Sequence, residues 1–153
     1  MRRIQHFIDG QHTAGSSGRV SDVYNPATGK VQAQVDLASA SEVDEAVASA
    51  TKAAIGWSDS SLTQRTQIMF RFRELLAART DVLAKAISSE HGKVVSDAAG
   101  EVARGLENVE FACGIAHHLK GEINEQVSDG IEVYSLRQPL GVCLLYTSDA
   151  ADE

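Results

Sequence analysis

The side chains with the most reactive chemistry in this sequence are a cysteine and a pair of histidines that lie close together. Cys113 is a candidate nucleophile, because a thiolate attacks carbonyl carbon in covalent catalysis. His117 and His118 are candidate metal ligands. However, Cys113 falls on the apolar stripe of a predicted helix, where an unpaired cysteine packs as a small hydrophobic residue. Adjacent helical side chains point about 100° apart, and no third ligand stands at a suitable spacing. We therefore favour a structural role for Cys113 and a solvated helix end for the two histidines.

Four acidic residues follow the same predicted helix and suggest, as one alternative, a pair of carboxylates in acid–base catalysis. They are Asp97, Glu101, Glu107 and Glu110. The solvated face of an amphipathic helix has the same spacing, and we favour that interpretation. The run Glu-His-Gly-Lys at residues 90–93 also carries titratable groups, but its glycine is typical of a helix end. The residues alone therefore predict no catalytic residue and no metal site.

Hydrophobic periodicity predicts the segments that position these side chains. Alternating residues predict strands over 6–8, 11–13, 20–24 and 31–37, with a tight hairpin turn at Asp9-Gly10. Four helices follow, beginning near residues 41, 62, 80 and 95. We expect Ser41 to cap the first helix, Gly56-Trp57 to end it, Thr80-Asp81 to cap the third and Gly92 to end the third. A last strand is expected from residue 131 to Pro139.

The fourth predicted helix carries an arginine among several glycines. Val95, Val102 and Val109 belong to its apolar stripe, and Arg104 lies off that stripe. Glycines at positions 100, 105 and 114 each cost about 1 kcal/mol relative to alanine, which predicts a close approach of another group to the backbone. From the pattern alone, we favour an exposed arginine without a function.

Composition limits the class of protein. The chain has 153 residues, of which 43% are hydrophobic and 23% are charged, as in a globular domain. A net charge of −7 argues against nucleic-acid binding. No apolar run approaches the roughly 20 residues of a membrane-spanning helix, and no signal peptide is recognised. Two cysteines 30 positions apart form no disulfide framework. We therefore expect a cytoplasmic protein that binds neither nucleic acid nor membrane.

Three motifs in order along the chain resemble the N-terminal part of an aldehyde dehydrogenase. They are Tyr-Asn-Pro-Ala-Thr-Gly at residues 24–29, Gly-Glu-Val-Ala-Arg-Gly-Leu-Glu-Asn-Val-Glu-Phe-Ala-Cys at 100–113, and Tyr-Ser-Leu-Arg-Gln-Pro-Leu-Gly-Val at 134–142. The second and third are most similar to the branch of the family that converts malonate and methylmalonate semialdehyde to acyl-CoA. The resemblance covers residues from about 7 to 142.

The resemblance implies an α/β architecture, namely an incomplete N-terminal part of the NAD-binding domain of the aldehyde dehydrogenase fold. It also implies that residues 7–13, 20–24 and 131–138 are strands of an oligomerisation sheet in a homotetramer. The implied substrate is a small semialdehyde, the implied cofactors are NAD and coenzyme A, and the setting is valine or inositol breakdown. In the family the catalytic and cofactor-binding residues lie beyond residue 153. We therefore expect this chain to be inactive, and we assign it no catalytic and no cofactor-binding residue.

The resemblance also changes the interpretation of Arg104. In aldehyde dehydrogenases the matching helix position borders the substrate tunnel, and in this branch the substrate carries a carboxylate. A guanidinium suits that group because it donates two parallel hydrogen bonds and stays charged. We therefore expect Arg104 to be a substrate-binding residue. The alternatives are a fragment of a general aldehyde or succinate-semialdehyde dehydrogenase and a non-catalytic helical interaction module.

The C-terminal tail departs from the family pattern. After residue 142 the sequence reads Cys-Leu-Leu-Tyr-Thr-Ser-Asp-Ala-Ala-Asp-Glu, where the family continues into a buried strand. Codons for these residues can be chosen to spell a sequencing adapter. We therefore interpret residues 1–142 as native and 143–153 as a translated adapter, with Cys143 either native or the first adapter codon. Processing and cloning scars are excluded from fold reasoning.

Overall fold

The computed structural model describes residues 1–146. In chain order these residues form strands β1 (Arg2–Ile4), β2 (His6–Ile8), β3 (Gln11–Thr13), β4 (Val20–Tyr24) and β5 (Val31–Asp36), helices α1 (Ala40–Asp59), α2 (Leu62–Ala78), α3 (Thr80–His91), α4 (Val95–Ala112) and α5 (Ile115–His118), and strands β6 (Ile123–Ser128) and β7 (Ile131–Tyr134). The predicted order of strands, helices and strand is confirmed. Of the tail 143–153, residues 147–153 lie outside the described part.

The strands of the described residues form three small sheets. In the largest sheet, β5 lies between β1, which is parallel to it, and β4, which is antiparallel. The predicted hairpin is confirmed: β2 pairs with β3 around Asp9 and Gly10, whose φ angles are +52° and +74°. The third sheet is a hairpin of β6 and β7.

Residues 7–13, 20–24 and 131–138 belong to three different sheets within the described chain, and their expected joining in the oligomerisation sheet of a tetramer stays a prediction. One strand prediction was wrong. The last strand ends at Tyr134 and does not reach Pro139. Strands β1 and β6 were missed because each is rich in charged or amide side chains and lacks an apolar alternation.

The ends of the helices differ from the prediction at three points. Ser39, not Ser41, caps α1, and its side chain forms a reciprocal capping box with Glu42. Helix α1 also continues through Gly56 to Asp59. The first residue of α3 is Thr80, but the position before it is occupied by Arg79 without a side-chain cap.

Two carboxylates are buried where β5 leads into α1. Asp36 accepts hydrogen bonds from Nε of Arg3 and, at 2.8 Å, from the backbone N–H of Gly15. Glu42 accepts from the backbone N–H groups of Ser16 at 2.6 Å and Ser39 at 2.8 Å. These bonds lower the pKa of Glu42 to about 2, the largest contribution coming from Ser39. The junction therefore ties the loop after β3 to the first turn of α1 through ionised side chains.

The end of α3 rests on the turn that follows β4. Gly92 has a φ of +76° and its N–H donates to the carbonyl of Ser88 at 2.8 Å, so the predicted glycine end of this helix is confirmed. A Cβ atom on Gly92 would lie 2.9 Å from Cγ of Pro26. Glycine is therefore required here both by the left-handed backbone and by the contact with the turn.

The apolar core of the described residues is small. Its buried apolar members are Ala33, Ala84, Ala98 and Val102. Larger side chains remain exposed to solvent: Trp57 is 47% exposed, Phe72 is 48% exposed, and Val95 of the predicted α4 stripe is 47% exposed. The accessible surface is 12114 Å², whereas a compact monomer of this mass has about 7,500 Å². The helices α2, α3 and α4 pack together, but large apolar side chains such as Ile68, Val82 and Phe111 remain exposed on them.

We expect Gly92→Ala to destabilise the protein by about 1–3 kcal/mol from the left-handed backbone alone, with a further loss from the contact with Pro26. The midpoint of urea unfolding measures the effect. Gly18→Ala is the matched control, because Gly18 has a similar φ of +69° and no atom within 4 Å of the added Cβ. Equal losses in the two variants would show that the contact with Pro26 contributes nothing.

We expect stability to fall as the pH decreases from about 4.5 to about 2. The pKa of Glu42 is about 2 in the folded chain against the ordinary 4.5, so its contribution is fully present above the ordinary value and is lost on acidification through the folded one. Glu42→Gln should be less stable at neutral pH and should lose less stability in acid. Urea unfolding at several pH values tests this, with the exposed Glu45→Gln on the same helix as control. An unchanged pH profile in Glu42→Gln would contradict it.

Candidate functional site

The candidate substrate-binding residue, Arg104, lies on the exposed side of α4. Its carbonyl accepts a hydrogen bond from Nδ2 of Asn108 at 3.0 Å, one helical turn later. Its Nη1 atom lies 3.9 Å from the position of a Cβ on Gly100, which is an ordinary contact distance. Among the described residues its guanidinium takes part in no ion pair. The guanidinium is therefore exposed and without an ion-pair partner among the described residues.

Glu101, an acidic residue one turn before it on the helix, is already paired. Nζ of Lys93, in the connection between α3 and α4, donates to Oε1 of Glu101. This hydrogen bond is the main cause that lowers the pKa of Glu101, and the positive charge of Arg104 is a minor one. Within the described residues, Glu101 thus pairs with Lys93 and not with Arg104.

The other acids of α4 were interpreted as a solvated face, and this is correct only in part. Asp97 and Glu107 are exposed, whereas Glu101 is half-buried. Oε1 of Glu110 accepts from Nη2 of Arg73 at 2.7 Å and from its Nε at 3.0 Å, which ties α4 to α2. Neither ion pair was predicted from the sequence, because each joins residues of different structural elements.

The glycines of the predicted fourth helix have different surroundings. The space next to Gly105 is open to a distance of 4 Å within the described chain, so the close approach predicted there stays a prediction. Gly114 lies outside α4, directly before α5. A Cβ on Gly114 would lie 3.3 Å from the carbonyl oxygen of Phe111, which is a tight contact.

The reactive residues near the end of α4 occupy structural positions. Cys113 is half-buried rather than fully buried and caps the C-terminus of α4. His118 stacks on the ring of Phe111 with 4.2 Å between the ring centroids. His117 is exposed in the same short helix. Within residues 1–146, no group of three or more His, Cys, Asp or Glu side chains is arranged to hold a metal ion.

The described residues contain no β-α-β unit of the Rossmann type. A Rossmann-type site requires a strand followed by a helix whose N-terminus faces the pyrophosphate, within a β-α-β unit. In residues 1–146 the parallel strands β1 and β5 are joined through other strands, not through a helix. We therefore assign no cofactor-binding residue to this part of the chain. None of the helices described here is both long and apolar enough to cross a membrane.

A profile of the aldehyde dehydrogenase family matches residues 12–148, and the chain belongs to this family. A methylmalonate-semialdehyde dehydrogenase from Sinorhizobium meliloti, solved in complex with NAD, superposes with a TM-score of 0.86 at 45% identity. The match covers 92% of this chain and 29% of the solved one. The aldehyde dehydrogenase-like fold predicted from the three motifs is therefore confirmed.

Curated relatives belong to the same branch. Malonate-semialdehyde dehydrogenase from Pseudomonas aeruginosa is 40% identical over 142 residues, which cover 93% of this chain and 28% of the relative. The acylating methylmalonate-semialdehyde/malonate-semialdehyde dehydrogenase of human mitochondria is 37% identical over 140 residues, covering 92% of this chain and 26% of the relative. The chain thus spans less than a third of the length of these relatives.

Proposed function

We propose that this chain is the N-terminal part of an NAD-dependent, CoA-acylating dehydrogenase of malonate or methylmalonate semialdehyde. In this reaction the aldehyde is oxidised by NAD, the acyl group is transferred to coenzyme A and carbon dioxide is lost. The observation that carries the proposal is the identity of 37–45% to two curated relatives and one solved structure that bear these names. The acylating relative supports coenzyme A in this proposal, and the solved complex with NAD supports NAD.

In this proposal Arg104 binds the carboxylate of the semialdehyde. Its support is the exposed guanidinium on α4, which makes no ion pair with the rest of residues 1–146 while the neighbouring Glu101 is held by Lys93. A carboxylate bound here would be positioned by two parallel hydrogen bonds. The guanidinium of Arg104 thus fixes one end of the substrate, and the aldehyde end contacts residues outside this chain.

Further proposals concern the localisation, assembly and cofactors of the longer protein and the C-terminal tail of this chain. We propose a cytoplasmic homotetramer, in which NAD and coenzyme A bind to residues that follow this part of the sequence. We also retain residues 143–153 as a translated adapter, so that the native N-terminal region comprises residues 1–142. The nucleotide sequence tests the last point, because codons that differ from the adapter would show the tail to be native.

We expect the 153-residue chain to have no dehydrogenase activity. The proposed placement puts the nucleophile, the oxyanion donors and the general base outside it, and each contributes orders of magnitude in rate. Formation of NADH from NAD, malonate semialdehyde and coenzyme A is the measurement, with the Pseudomonas aeruginosa relative as positive control. Turnover by the purified chain would show that the chemical residues lie within it.

In the longer protein, we expect Arg104→Leu to raise KM for malonate semialdehyde by about ten- to a hundredfold, as for the loss of a charged hydrogen bond. The value of kcat should change little, because the carboxylate is remote from the aldehyde and binds alike in the ground and transition states. Propanal, which has no carboxylate, should be oxidised as by the unmodified enzyme. Steady-state kinetics with both aldehydes measure the effects on KM and kcat separately.

Two further variants separate binding from structure. Arg104→Lys should recover only part of the affinity, because an ammonium group does not form the two-pronged contact. Arg71→Leu, an exposed arginine on α2, is the matched control and should leave both KM values unchanged. Equal loss of activity toward malonate semialdehyde and propanal in Arg104→Leu would assign this arginine a structural role.

A further inference from the structure

Two other arginines line a cavity that the proposed function does not use. The cavity lies where the end of α1, the start of α2 and residues 137–139 meet, and its volume is about 490 Å³. Small-molecule sites typically measure about 300–1,000 Å³. The side chains that matter for binding are Trp57, Leu62, Arg65, Arg137, Gln138 and Pro139.

The charge of this cavity is positive. Arg65 and Arg137 line it, and no Asp or Glu does. The whole chain has 21 acidic and only 14 basic residues, so an acid-free cavity with two arginines departs from its average surface. Neither arginine forms an ion pair within the part of the chain that the structure describes. The cavity is therefore complementary to an anion.

The rest of the lining is largely apolar. The indole of Trp57 and the side chains of Leu62 and Pro139 form a wall beside the two arginines. The cavity therefore offers positive charge next to an apolar surface.

We propose that this cavity binds an organic anion whose apolar body lies against Trp57 and whose carboxylate or phosphate lies between Arg65 and Arg137. The guanidinium groups donate to the oxyanion, and the flat indole favours a planar body. The site involves none of the residues assigned to semialdehyde binding, so it can be tested independently of the proposed function.

Trp57 provides the test, because it is the only tryptophan of the chain. Phenyl phosphate and benzoate, which distinguish phosphate from carboxylate, are titrated into the 153-residue chain while tryptophan emission is recorded. At least one should give a saturable change. Benzyl alcohol, which lacks the charge, and inorganic phosphate, which lacks the apolar body, should bind at least about tenfold more weakly.

Arginine variants locate the binding. Arg65→Gln and Arg137→Gln should each weaken it by about ten- to a hundredfold, as for a lost charged hydrogen bond. Arg71→Gln, an exposed arginine on the same helix as Arg65, should leave it unchanged. Equal affinity in the unmodified chain and in the double variant of Arg65 and Arg137 would overturn the proposal, as would the absence of saturable binding.

Folding of the chain is checked by circular dichroism in each case. If its helix content differs from that of the structure, calorimetric titration of the longer protein with NAD present decides instead. Loss of phenyl phosphate or benzoate binding in the same two variants would support the site. Absence of binding there would overturn it, because it would show that another part of the protein fills the cavity.

Discussion

The constraint on which the whole structure depends is that its apolar surfaces exceed what its own residues cover. The helices present valine, isoleucine, leucine and aromatic side chains that remain about half exposed, and the buried apolar residues are all small. At about 25 cal/mol per Å², the uncovered area represents a large part of the hydrophobic free energy that a domain needs. The arrangement is therefore one face of a larger core. This agrees with relatives more than three times as long as the chain.

Polar contacts hold the described elements in place where the core is thin. Asp36 and Glu42 tie the loop after β3 to the end of β5 and the start of α1, and the ion pair of Arg73 with Glu110 connects α2 with α4. Such contacts are directional, so they fix the angles between elements without contributing much burial. Charged pairs that are partly exposed add only modest stability. Polar contacts thus set the angles between the elements. Further hydrophobic stabilisation requires that the apolar surfaces exposed in the described residues be covered.

Local sequence patterns predicted most of this fold, and long-range contacts account for the errors. The four long helices and the hairpin at Asp9-Gly10 follow from periodicity and turn chemistry, which depend on neighbours in the chain. Strand β1 was missed because its partner β5 lies about thirty residues later and its own sequence is basic. Ser41 was preferred over Ser39 as a cap because Asp44 stands three residues after it, but Ser39 and Glu42 have the same spacing and form the capping box.

The candidate site shows the same division between local and distant information. Periodicity placed Arg104 off the apolar stripe of α4, but an exposed arginine has no function by pattern alone. The structure adds that Glu101, one turn before it, is engaged by Lys93, a residue outside the helix. An exposed guanidinium without an ion-pair partner among the described residues is available to an anion, and the proposed function offers one in the carboxylate of a semialdehyde. In that proposal this piece of the protein holds the remote end of the substrate, and the reacting carbonyl belongs to the part that covers its open core.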